Sequence, residues 1–140
     1  HKMAAVTRLE LDRGILRHKC ATFAEAEMLA ETGVRDIFLA YNLVGPNLGR
    51  AVAFRAQYPH VALSVTADDL AMVQALNAAL ARDPAAPPLG VVLDLDTGLH
   101  RTGVSDPVRA ATLYRAIVDA QSLQPAGFHL YDGHNHQTPL

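Results

Sequence analysis

Five short apolar runs recur along the chain, and a stretch with helical character separates each run from the next. Short apolar runs that alternate with helices are typical of strands buried in a parallel sheet. The predicted strands lie at residues 17–21, 36–41, 61–65, 89–96 and 124–131.

The segments between the runs carry signals for helix starts and stops. Thr22 and Glu25 form a capping-box pair ahead of a helix that we expect to end at Gly33, a favoured residue just past a helix C-terminus. Pro107 suits the first position of another helix. Further helices are predicted over residues 3–13, over residues 48–57, and from residue 68 to a stop at Asp83–Pro84.

Apolar residues spaced three or four apart predict the inner faces of these helices. The predicted faces are Met3, Val6 and Leu9; Phe23, Ala26, Leu29 and Ala30; Leu70, Val73, Leu76 and Leu80; and Val108, Ala111, Tyr114 and Val118.

The alternation of helices and strands predicts an α/β fold with a parallel sheet and right-handed crossovers. A doubly wound open sheet and a TIM-type (β/α) barrel both fit this order. No GxGxxG follows any predicted strand, which removes the main signal for a dinucleotide-binding open sheet. Because a whole barrel needs about 250 residues, we expect residues 1–140 to form an incomplete one.

Composition excludes several classes of function. The net charge is −2 and there is no basic run, so nucleic acid is not an expected partner. No apolar run approaches the roughly 20 residues of a membrane span. The single Cys20 fits a reducing, cytoplasmic compartment, and we expect it to be a small buried hydrophobe.

The segment LDLDTGLHRTGV, residues 93–104, is unusually polar for a strand end. Ligands of parallel α/β folds bind at the C-terminal ends of the strands. Asp94 and Asp96 alternate onto one face of the strand, and Arg101 follows on a loop. Arg101 is suited to anchor an oxyanion through its fixed fork of donors. The alternative is structural, with Asp96 capping the loop and Arg101 paired to it.

A second polar segment, HLYDGHNHQ, follows the last predicted strand at residues 129–137. His134 and His136, with Asp132 nearby, raise the possibility of a zinc site. The alternative is a solvated polar loop. Tyr131 points the same way as His129 and could stack on a flat cofactor, or it could be a buried core residue.

Other residues at predicted strand ends are less informative. Tyr41, Asn42 and Thr66 could line the same end of the sheet, and Thr66 is also a natural helix N-cap. Lys19 has no motif around it and is predicted to be exposed.

Four segments, taken in order, resemble the D-threonine aldolase and D-serine dehydratase group. Residues 1–3 (HKM) look like the tail of its "R-P-H-x-K-T-H-K" segment, and residues 20–42 resemble its next strand–helix–strand. Residues 93–104 are similar to the "D-T-G-M-x-R-x-G" loop shared with alanine racemases, and residues 127–136 to "G-L-x-x-Y-x-G-H". The resemblance implies the alanine-racemase-type barrel of fold type III pyridoxal-phosphate enzymes, followed by a β-rich C-terminal domain, usually in a homodimer.

The resemblance also implies roles for particular residues. Arg101 matches the arginine that contacts the phenolic oxygen of pyridoxal phosphate, Tyr131 matches an aromatic residue beside the cofactor, and His134 matches the histidine that closes the last motif. The Schiff-base lysine would precede His1, and Lys2 matches the second lysine of its motif, so no residue of this chain is expected to be catalytic. A divalent metal (Mn, Mg or Zn) would bind in the C-terminal domain, outside this chain.

The resemblance implies a lyase that cleaves a D-3-hydroxy amino acid into glycine and an aldehyde. We expect residues 1–140 alone to be inactive and to hold the cofactor poorly. D-serine dehydratase and amino-acid racemase chemistry are alternatives on the same fold. A non-catalytic pyridoxal-phosphate homeostasis protein and a metal-dependent barrel hydrolase, which would use His134, His136 and Asp96, are the others.

Overall fold

The computed structural model describes residues 3–82 and 87–136, and in these residues helices and strands alternate as predicted. His1, Lys2 and the predicted helix stop at Asp83–Pro84 lie outside them. The strand boundaries differ from the predicted ones by at most two residues, and the fourth helix ends at Leu80, three residues before Asp83. The helices are α1 (Ala4–Asp12), α2 (Phe23–Thr32), α3 (Asn47–Gln57), α4 (Leu70–Leu80) and α5 (Pro107–Asp119), and the strands are β1 (Arg17–Cys20), β2 (Asp36–Asn42), β3 (Ala62–Ala67), β4 (Leu89–Leu95) and β5 (Leu123–Leu130).

The strands form one parallel sheet whose spatial order, β1-β2-β3-β4-β5, is also the order along the chain. In a doubly wound sheet the strand order reverses partway, whereas in a barrel each strand is added beside the previous one. The observed order therefore selects the barrel and confirms the predicted incomplete (β/α) barrel.

The sheet is curled rather than flat. Lys19 on β1 and His129 on β5 approach within 3.4 Å, measured from Nζ to Nε2. Four strand spacings in a flat sheet would separate β1 from β5 by about 19 Å, which is too far for two side chains to span. The concave face of the sheet is therefore a lumen, and the helices cover the convex face.

The hydrophobic core lies between the convex face of the sheet and the helices. Alternate strand residues such as Ile37, Val65 and Leu93 pack there against Leu29 of α2 and Leu76 of α4, and all five are almost completely buried. Burying a side chain of this size stabilises the fold by about 1.5–3 kcal/mol. Cys20 is also buried in this core, as predicted. None of the helices within residues 3–82 and 87–136 combines the length and the apolar character needed to cross a membrane.

Two predicted helix caps are confirmed. The Thr22 hydroxyl accepts a hydrogen bond from the Glu25 amide at 3.2 Å, and the Glu25 carboxylate accepts one from the Ala21 amide at 2.8 Å. α2 then ends at Gly33, which has a φ of 109°. The predicted cap at Thr66 is wrong, because β3 continues through Thr66 to Ala67. The N-cap of α4 is Asp69, which accepts from the Met72 amide at 3.0 Å.

The predicted inner face of α5 is wrong. Val108 is 73% exposed and Val118 is 52% exposed, whereas Leu113 and Ile117 are buried. These two large side chains, one helical turn apart, set the rotation of the helix against the sheet. Tyr114 lies at the border of both faces and stacks on Phe128 of β5, with ring centroids 5.3 Å apart.

The predicted face of α1 is also wrong. Met3, Val6 and Leu9 are exposed, and the buried residue of this helix is Thr7. Thr7 and the half-buried Leu11 are four residues apart and so share a face, and Leu11 reaches the end of α2 near Gly33. On α4, Val73, Leu76 and Leu80 are buried as predicted, but Leu70 at the first turn is exposed.

Candidate active site at the C-terminal ends of the strands

Asp96 organises the loop that follows β4, which spans residues 96–106. Its Oδ1 accepts hydrogen bonds from the amides of Gly98 and His100, both at 2.9 Å, and its Oδ2 lies 2.7 Å from Nδ1 of His100. The two backbone hydrogen bonds favour the charged carboxylate and are the main reason that the pKa of Asp96 falls to about 2. Asp96 therefore caps the loop, but its ion-pair partner is His100 rather than Arg101.

The far end of this loop is fastened back onto β4. The Asp96 amide donates to the Val104 carbonyl at 3.2 Å, and the Val104 amide donates to the Asp94 carbonyl at 3.0 Å. The Gly103 amide donates to the Asp68 carboxylate at 2.9 Å. Gly103 has a φ of 97°, and an added Cβ would lie 2.6 Å from the Asp96 nitrogen. The loop is thus closed at both ends, and Arg101 lies within it.

Arg101 and Tyr131 come together above the sheet. The Arg101 guanidinium carbon lies 5.1 Å from the centroid of the Tyr131 ring, within the range of a cation–π contact. The Thr97 hydroxyl donates to the Tyr131 carbonyl at 3.0 Å and ties the two loops together. Tyr131 is 45% exposed, which excludes a buried core role among the described residues.

Arg101 lines two adjoining cavities at the C-terminal ends of the strands, a region that we call the mouth. The first has a volume of about 370 Å³, and Lys19, His129 and Tyr131 also line it. The second has a volume of about 560 Å³, and its lining includes Tyr41, Asn42, Thr66, Asp94, Thr102 and His129. The residues predicted at the ends of β2 and β3 therefore do reach the mouth.

The sequence analysis missed a polar chain that crosses the lumen. Nδ1 of His129 lies 2.7 Å from Oδ1 of Asp94, and Nε2 of the same ring lies 3.4 Å from Nζ of Lys19. The two-residue alternation along β5 places His129 on the same side as Tyr131, and this sequence signal could have identified His129 as a residue of the lumen. Lys19 is exposed, as predicted, but its exposure is to the lumen cavity.

His134 approaches the β4–α5 loop at Gly98. Its Nε2 lies 3.0 Å from the position that a Cβ on Gly98 would occupy, which is a tight approach, and the φ of 118° at residue 98 favours glycine there. Its Nδ1 is buried without a hydrogen-bond partner among the described residues. His136 is exposed.

The metal-hydrolase alternative lacks a ligand set in the part of the chain that the structure describes. No three potential metal-binding side chains converge in residues 3–82 and 87–136. The Asp96 carboxylate, which this alternative requires, is occupied by the loop amides and by His100.

Comparisons with known proteins identify the family and the fold of this chain. A family model described as alanine racemase, N-terminal domain, matches residues 1–139. The chain is 27% identical over 134 residues to a D-threonine aldolase from an Arthrobacter species, covering 95% of this chain and 34% of the relative. The chain therefore spans about a third of the length of that relative.

Two solved structures have the same fold. The crystal structure of D-threonine aldolase from Filomicrobium marinum superposes with a TM-score of 0.84 at 24% identity, covering 96% of this chain and 35% of that one. The crystal structure of alanine racemase from E. faecalis superposes with a TM-score of 0.68 at 27% identity, covering 82% of this chain and 29% of that one. The predicted resemblance to D-threonine aldolases and alanine racemases is confirmed.

Proposed function

Because this chain belongs to the alanine racemase N-terminal domain family, we propose that the protein that carries it is a pyridoxal-phosphate-dependent lyase acting on D-amino acids. Its reaction is the cleavage of a D-3-hydroxy amino acid, such as D-threonine, into glycine and an aldehyde. The D-threonine aldolase from Arthrobacter, which aligns with 95% of the chain, supports this choice of reaction.

The observation that carries the proposal is the Arg101 guanidinium held over Tyr131 at the edge of the mouth. The groups present there fit the cofactor: Arg101 offers a fork of donors for an oxyanion, and an aromatic residue flanks a cavity of about 370 Å³. When bound, pyridoxal phosphate supplies an electron sink for the bond that breaks at Cα.

In this proposal the residues of this chain bind the cofactor and orient it. Arg101 would donate hydrogen bonds to the phenolic oxygen of the cofactor, and Tyr131 would pack beside the cofactor ring. Asp96 holds the loop that carries Arg101. His134 acts through Gly98 by keeping the two loops in register. Residues outside this chain would supply the lysine for the cofactor aldehyde, the phosphate contacts and the ligands of a divalent metal (Mn, Mg or Zn). We place the protein in the cytoplasm as a homodimer.

The test is a visible absorbance scan of the full gene product with added pyridoxal phosphate, followed by sodium borohydride. We expect an absorbance band that borohydride removes, and we expect Arg101→Met to shift the band and weaken cofactor binding at least tenfold. Arg115→Met is the matched control, because Arg115 is an exposed cation on α5 that lines neither cavity. An unsubstituted protein without such a band, or an Arg101→Met variant that behaves like the control, would contradict the proposal.

Racemisation is the second candidate, favoured by the 27% identity to the alanine racemase from E. faecalis. The products distinguish the two reactions. Glycine and an aldehyde formed from D-threonine identify the lyase, whereas loss of optical activity in alanine without an aldehyde identifies the racemase.

A further inference from the structure

Lys19 reaches into the lumen from β1. Its ammonium lies 3.4 Å from Nε2 of His129 and 5.7 Å from the centroid of the Phe38 ring. A lysine ammonium only donates hydrogen bonds, so Nε2 of His129 is the acceptor in this contact. Two neighbours on β2 and β5 therefore fix the position of the ammonium group.

His129 is itself oriented from behind by Asp94. Its Nδ1 lies 2.7 Å from Oδ1 of Asp94, and the two side chains are only 15% and 6% exposed. An ionised carboxylate only accepts hydrogen bonds, so Nδ1 of His129 is the donor in this pair. The hydrogen-bond chain runs from Lys19 through His129 to Asp94, and the positive charge is at its lumen end.

This charge lines the cavity in which Arg101 and Tyr131 also lie. The same cavity is lined by the carboxylate residue Glu25, whose Oε2 already accepts from the Ala21 amide at 2.8 Å. The cavity thus has two cationic side chains on its wall, and the function proposed above assigns only Arg101 to the cofactor.

We propose that Lys19, positioned by His129 and Asp94, binds a carboxylate of the amino-acid substrate. The inference rests on the proposed function, because that function puts an amino acid in this cavity. An ammonium group acts as a compact point charge and suits a carboxylate without demanding one bidentate geometry. The carboxylate is either the α-carboxylate of every substrate or the side-chain carboxylate of an acidic one.

The test is isothermal titration calorimetry of the cofactor-free gene product with succinate and with butyrate, a dicarboxylate and a monocarboxylate of the same carbon count. We expect Lys19→Met to weaken binding about tenfold or more, and Lys19→Arg to restore most of it, because a charged hydrogen bond is lost and then replaced. Arg115→Met changes the net charge equally at a site outside the cavity and is expected to bind like the unsubstituted protein.

The two ligands distinguish the two carboxylates. If Lys19→Met weakens binding of both, Lys19 binds the α-carboxylate; if it weakens succinate alone, Lys19 selects acidic side chains. If neither ligand binds the unsubstituted protein, or if Lys19→Met and Arg115→Met are equivalent, the site assignment is overturned. Calorimetry needs no cofactor, so its failure is distinct from the failure of the borohydride assay, which would overturn the proposed function instead.

Discussion

Replacing Gly103 by alanine tests whether close packing of the β4–α5 loop on its own strand holds Arg101 in place. An added Cβ at Gly103 would lie 2.6 Å from the Asp96 nitrogen and 2.7 Å from the Leu95 carbonyl carbon. Both are backbone atoms in or next to β4, so neither can rotate away. The loop must therefore shift, or the substitution must distort the end of the strand.

The magnitude has two parts. Gly103 has a φ of 97°, and an alanine with positive φ costs about 1–2 kcal/mol relative to glycine. Forcing an extra methyl group into a filled space typically costs a further 1–3 kcal/mol. Gly14 is the matched control, because its φ is 81° and an added Cβ there would meet nothing within 4 Å. Gly14→Ala carries only the first cost.

The assay is urea unfolding of both variants, with the free energies of unfolding compared at a common m-value. We expect Gly103→Ala to be less stable than Gly14→Ala by about 1–3 kcal/mol, and we expect only Gly103→Ala to weaken cofactor binding. Equal stabilities would refute the packing argument. If Gly103→Ala loses stability but binds the cofactor normally, the packing at Gly103 does not determine the position of Arg101.

Two further predictions follow from the same loop and from the extent of the chain. The pKa of Asp96 falls from 3.8 to about 2 in the folded state, so its contribution to stability is complete above about pH 4 and is lost as the pH falls towards 2. Asp96→Asn should flatten this part of the stability–pH profile in urea unfolding, and an unchanged slope would contradict the prediction. Residues 1–140 alone should bind pyridoxal phosphate much more weakly than the full gene product, as measured by fluorescence titration; equal affinity would require a cofactor site complete within this chain.

The fold was largely predictable because its signals are local. The spacing of apolar residues and the turn and cap residues place each strand within two residues. The helix starts beside Thr22 and Pro107 depend on hydrogen bonds from amides only two or three residues along the chain. The rotation of α5 was not predictable in this way. Leu113 and Ile117 compete with Val108 and Val118 for the sheet, and the amphipathic pattern of the helix alone does not decide which pair is buried.

The candidate site was predictable only where it lies on one loop or one strand end. The sequence predicted Arg101 and Tyr131 at the mouth because Tyr131 directly follows β5 and Arg101 lies in the loop that follows β4. Their contact, and the pairing of Asp96 with His100 instead of Arg101, depend on how the loop folds back onto β4. His100 and Arg101 lie four and five residues after Asp96, so the sequence alone does not decide which of them pairs with the carboxylate.

The hydrogen-bond chain from Lys19 through His129 to Asp94 could not be predicted from the sequence, and the physical reason is stronger here. Lys19 and His129 are 110 residues apart, and their strands are not neighbours in the sheet. They meet only because the sheet curls, and curl is a property of the sheet as a whole rather than of either strand. Asp94 stabilises this contact between Lys19 and His129 by orienting the His129 ring. A carboxylate that is 6% exposed requires a hydrogen-bonding partner, and His129 supplies it from the next strand. In the sequence Lys19 looks like an exposed charged residue of a strand, whereas in the structure its side chain lines the cavity. Lys19 therefore merits the same experimental attention as Arg101, although only Arg101 belongs to a recognisable motif.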